Sequence, residues 1–102
     1  MAKKIITISI DGKDRHLKMG INALAELEQI INKPITDMGE DVSLSDLRAL
    51  FYVAMKWEDK SLTLDETGDL MDSVIDEHGF EFLSQKLGEL MTGAMGNTQL
   101  PS

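Results

Sequence analysis

Ile6, Ile8 and Ile10 alternate with Thr7 and Ser9 and run directly into Asp11-Gly12. Alternation with period two is the pattern of a strand with one buried face. Asp-Gly supplies the positive φ angles of a two-residue hairpin turn. The segment Lys13 to Lys18 should therefore return antiparallel, with Leu17 turned inward. A two-stranded ribbon alone is marginal in water, so this hairpin must be covered by the rest of the chain. With 102 residues, 42% of them hydrophobic, there is material for one domain and one core.

Beyond the hairpin the chain reads as helices. Ile21, Leu24, Leu27 or Glu28, and Ile31 share one helical face, with Asn22 as the expected N-cap and Asn32 and Pro34 as the stop. Residues 33–41 carry proline, glycine and acids, a loop with one turn around Ile35 to Met38. Ser43 and Asp46 form a capping pair at the start of a second helix, and Val42 and Leu47 take the two positions of a hydrophobic staple. Leu44, Leu47, Leu50, Phe51, Ala54 and Trp57 continue it as an apolar stripe, which makes this helix central to the core. Trp57 and Tyr52 are left open between burial and an interface. Thr63 and Glu66 make a further capping box; the third helix presents Leu64, Leu70 or Met71, Val74 and Ile75, and His78-Gly79 stops it. Phe80, Leu83, Leu87, Leu90, Met91 and Ala94 mark a fourth helix. The expected fold is α+β: an N-terminal β-hairpin packed on a small bundle of about four α-helices, a single domain over residues 1–92 with a mobile tail at 93–102.

Composition removes several function classes. There is no cysteine, which excludes disulfides, thiolate metal sites and a thiol nucleophile. The N-terminal segment lacks the apolar core of a signal peptide, and no window approaches the ~20 apolar residues of a membrane helix, so neither export nor a membrane is expected. Residues 1–18 hold five basic and two acidic side chains, net +3; the remainder holds five basic and sixteen acidic, net −11, and together they give −8. A helical body so acidic disfavours sequence-independent binding of nucleic acid. The basic hairpin can pair with that body or with an acidic partner.

Candidates for chemistry are sparse. His16 reads as a solvated strand residue, and His78 as a helix-end residue that complements the dipole of the third helix, the alternative being a metal ligand together with Glu77 and Asp76. Nine acids between Glu58 and Glu81 suggest calcium, but a loop starting at Asp65 places Leu70 where an EF-hand needs glycine. These acids read as a solvated helical face. No glycine-rich phosphate loop and no partnered nucleophile is present, and no cofactor is expected. A helix-turn-helix fails because the would-be recognition helix has six carboxylates and no Lys or Arg. Met55, Met71, Met91 and Met95 fall in helices, where methionine serves either as core filler or as an adaptable docking face. Phe82 falls off the stripe of the fourth helix, a position that often marks an interface.

The order of these elements carries a resemblance. A basic hairpin is followed by Asn22-Ala23-Leu24-Ala25-Glu26-Leu27-Glu28, then Leu47-Arg48-Ala49-Leu50-Phe51-Tyr52, then the stretch Lys56 to Leu70 with its Leu62-Thr63-Leu64-Asp65-Glu66 capping box, and a last amphipathic helix. Over residues 4 to about 92 this resembles the small tail assembly chaperones of long-tailed bacteriophages and prophages, in the branch with gene-transfer-agent and Gram-positive siphophage members. The shared words are structural and not catalytic. The resemblance implies a non-enzymatic protein that binds and solubilises the apolar, coiled-coil tape measure protein and recruits tail tube subunits. It further implies a homo-oligomer, a frameshift-extended second form departing from the C-terminal tail, residence in the bacterial cytoplasm and absence from the finished virion.

A holdase for apolar helices needs exposed apolar surface and net charge. Phe82, Leu87, Leu90, Met91 and Met95 on the fourth helix are the expected partner-binding residues. The competing class is an acidic phage-encoded protein that mimics nucleic acid and inhibits a host DNA-binding protein. Asp65, Asp69, Asp72 and Asp76, three or four residues apart, would imitate the phosphate row.

Overall fold

A computed structural model describes residues 5–38 and 42–95. The chain runs through strands β1 (Ile5–Ile10) and β2 (Lys13–Lys18), helix α1 (Ile21–Ile31), a 3-10 turn (Ile35–Met38), and helices α2 (Leu44–Met55), α3 (Leu64–His78) and α4 (Phe80–Met95). This is the expected α+β arrangement of one antiparallel hairpin and four helices.

The hairpin turns at Asp11 (φ 55°) and Gly12 (φ 79°), two left-handed residues in succession. That is the backbone of a tight turn whose twist matches the strands it joins. The register pairs Ile5 with Lys18 and Ile10 with Lys13, which puts Ile6, Ile8, Ile10 and Leu17 on one face, all buried. β2 packs on α2, while β1 packs on α3 and α4. α2 is the hub: it touches every other helix and β2, and its Phe51 and Ala54 are completely buried.

Helix boundaries follow from local chemistry. Ser43 and Thr63 accept from the amides of Asp46 and Glu66, whose carboxylates accept from the cap amides in return. Lys33 reaches the Asp46 carboxylate at 3.0 Å and ties the end of α1 to the start of α2. α1 stops at Asn32 in the left-handed conformation, and α3 stops at Gly79 (φ 96°). α1 itself departs from expectation. Its N-cap is Gly20, without a side-chain cap, and Asn22 lies inside the first turn.

Three apolar residues expected on buried stripes are exposed at the starts of helices: Ile21 (75%), Leu44 (72%) and Phe80 (48%). Each is the first residue of its helix. Because the Cα–Cβ bond tilts toward the N-terminus, a side chain there projects beyond the helix end and misses the layer beneath. Trp57 lies past the end of α2 and is not part of its stripe. Conversely, Thr67 is fully buried on α3, its hydroxyl donating to the Thr63 carbonyl at 2.8 Å. Met55 and Met71 are core residues. α4 continues to Met95, past residue 93 where the sequence predicts the tail to begin, and residues 96–102 of that tail lie outside the described residues. Among the described residues, no helix is long and apolar enough to cross a membrane.

Candidate functional site

The sequence assigns five side chains of α4 to a partner, and the structure separates them. Leu87 and Leu90 are 2% and 1% exposed, members of the core together with Leu83. They are not surface residues as expected, because they follow Leu83 at helical spacing and face the hub. Phe82 is half-buried. Its ring stacks on His78 at 4.3 Å between centroids, and the Lys86 ammonium lies 5.3 Å from its centroid. The aromatic that falls off the stripe is thus covered from within the chain. Met91 is half-buried against the core. Met95 closes α4, and its side chain lies outside the described residues.

Leu87 and Met91 nevertheless meet at a common recess. With Gly88 and Ser84 of α4, Leu47 and Leu50 of α2, Ile35 of the 3-10 turn and Val42, they line an apolar cleft of about 320 Å³. That volume falls within the ~300–1,000 Å³ of small-ligand pockets. Val42 and Leu47, the expected staple pair, both stand on its wall. Gly88 opens its floor, since a Cβ placed there would meet nothing within 4 Å. Glycine inside a helix costs about 1 kcal/mol relative to alanine; that cost was the signal in the sequence pointing to this position, which the apolar periodicity passed over.

A second cluster holds the hairpin to the body. Glu58, just after α2, accepts from the His16 amide at 3.0 Å and from His16 Nδ1 at 2.8 Å. Trp57 Nε1 donates to the His16 carbonyl at 3.1 Å, and Arg15 donates to Asp59 at 3.3 Å. The hydrogen bonds from His16 hold the Glu58 carboxyl below its ordinary range. Asp59 is also lowered, first by Ser61 and then by Arg15. His16, whose side chain stays 40% exposed, is in addition bound through its backbone and ring. The basic hairpin pairs here with the acidic body. At the opposite end His78 Nε2 donates to the Ser9 carbonyl at 3.1 Å, and Glu77 accepts from the Asp11 amide at 2.9 Å. His78 does more than complement a helix end: it anchors β1.

Lys56 donates to Glu26 at 2.6 Å, joining α1 to α2, and that bond raises the Lys56 ammonium above its ordinary range. Asp65, Asp69, Asp72 and Asp76 lie along α3, and none of them is buried in the core. Among the described residues no three His, Asp or Glu side chains are grouped to hold a metal ion. Compared with models of protein families, with curated proteins and with solved structures, the chain matches none.

Proposed function

We propose that this chain is a tail assembly chaperone of a long-tailed phage or prophage, which binds the tape measure protein, keeps it soluble and recruits tail tube subunits. The observation that carries the proposal is the apolar cleft on a molecule of net charge −8. An apolar helix needs its side chains withdrawn from water, and a charged carrier keeps the complex from associating further. Leu87, Met91, Leu47 and Val42 supply the first condition, and the acidic helices the second. The chain order that resembles these chaperones supports the same reading. In it the protein is non-enzymatic, forms a homo-oligomer and acts in the host cytoplasm without entering the virion.

The test is affinity purification of the tagged protein from cells expressing its own phage genes, washed at high salt, with mass spectrometry of what is retained. Recovery of a very long helical protein, with or without tube subunits, is the expected result. Recovery of neither overturns the proposal. One observation favours the nucleic-acid mimic as a second reading: Asp65, Asp69, Asp72 and Asp76 make no ion pair among the described residues. A charge-driven complex weakens as salt rises, so a host DNA-binding protein that elutes with salt would favour the mimic.

A further inference from the structure

We propose that the end of the molecule where Ile5, Lys18, Ile21 and Trp57 meet is a second docking surface, for an acidic protein segment carrying a bulky apolar side chain. This surface is separate from the cleft beside α4 and does not depend on the tail-chaperone reading.

Its geometry follows from the hairpin register. Ile5 lies opposite Lys18, and directly paired residues share one face of a sheet. That face is the outer one, since Ile6 and Leu17 occupy the inner. The Lys18 ammonium lies 4.2 Å from the centroid of the Trp57 ring. Lys18, Trp57 and Ile21 then border a hollow of about 390 Å³ that Ala23 and Val53 also line. Ile5, Ile21 and Trp57 are 51%, 75% and 38% exposed, so three large apolar side chains stand in water around one cation and one recess.

Charge selects the occupant. The carboxylates of this region are already engaged: Glu58 by His16, Asp59 by Arg15, Glu26 by Lys56. Lys18 makes no ion pair among the described residues, and its ammonium rests on the Trp57 ring. Lys18 thus places a positive charge without a carboxylate partner, among the described residues, beside an apolar recess. A carboxylate on the incoming segment would meet Lys18, and an apolar side chain next to it would enter the hollow and cover Ile21.

Trp57 is the only tryptophan, so its fluorescence reports on this surface. The experiment titrates the full chain with four probes: a peptide of mixed glutamate and leucine, an all-glutamate peptide, a lysine–leucine counterpart, and an oligothymidylate. Expected is a saturable change in Trp57 emission with the glutamate–leucine peptide and much weaker responses to the other three. Lys18→Glu should weaken that binding about tenfold or more, and Lys18→Arg should retain it. Ile21→Asp should remove it while the circular dichroism stays that of the parent, because Ile21 is outside the core. The proposal is overturned by no saturable change, by an equal response to the lysine–leucine peptide, by unchanged binding in Lys18→Glu, or by preferential binding of the oligothymidylate, which would make the surface one for nucleic acid.

Discussion

Glu58 accepts from both the backbone amide and the ring Nδ1 of His16. A carboxylate only accepts, so the ring carries its proton on Nδ1 toward Glu58. The Trp57 indole holds the carbonyl of the same residue. Both outward-facing backbone groups of His16 are thereby occupied, and the outer edge of β2 is closed there by side chains instead of another strand.

That arrangement sets a pH dependence. Glu58 is held below its ordinary value of 4.5 by His16, and Asp46 below 3.8, chiefly by Lys33. A carboxyl with a depressed folded-state value adds stability that is complete above the unfolded value and is lost as pH falls through the folded one. Thermal unfolding followed from neutral into acid should show Tm falling below about pH 4.5, and Glu58→Gln should flatten the upper part of that fall. Identical acid profiles for the two proteins would show that the His16 contacts add nothing.

Core and helix-end leucines should behave oppositely although both lie on one sequence stripe. Leu50 is 2% exposed and Leu44 72%. Leu50→Ala should cost about 2–5 kcal/mol, and Leu44→Ser should stay within about 0.5 kcal/mol, both read from denaturant unfolding. A large loss at Leu44 would contradict its exposure.

Those two leucines also mark where the sequence stops being informative. The Asp11-Gly12 turn, the Ser43–Asp46 and Thr63–Glu66 boxes and the Asn32 stop are legible because every partner lies within a few residues. Leu44 begins α2 and projects past its end while Leu50 sits mid-helix against the core, a difference that periodicity does not record. The bonds of Glu58 and Trp57 to His16 span 42 and 41 residues, and no local pattern announces them. The cleft was legible in part. Leu87 and Met91 were marked by the α4 stripe, but Ile35 and Val42 join them only through the packing of the 3-10 turn and α2 against α4.

Gly79 separates α3 from α4 at φ 96° and ψ 157°, a region that essentially only glycine occupies. A Cβ there meets no neighbour within 4 Å, so the obstacle is backbone strain and not space. Gly79→Ala should cost about 1–3 kcal/mol, measured by urea unfolding. An unchanged midpoint would mean that the α3–α4 junction relaxes freely.

The proposed chaperone cleft is best tested by filling it. Charging α4 at Leu90 would mix folding with binding, because Leu90 is 1% exposed and an aspartate there would be a buried, unpaired charge. Gly88 avoids that confusion. It lines the cleft with nothing within 4 Å of a Cβ, and replacing glycine inside a helix by a residue with better propensity gains up to about 1 kcal/mol. Gly88→Leu should therefore keep or raise Tm while its side chain occupies the space between Leu47 and Met91. Pull-down of the long helical partner should drop about tenfold or more, and Gly88→Ala, which adds only a methyl group, should retain most of it. Full capture by a stably folded Gly88→Leu protein would move the partner site away from this cleft.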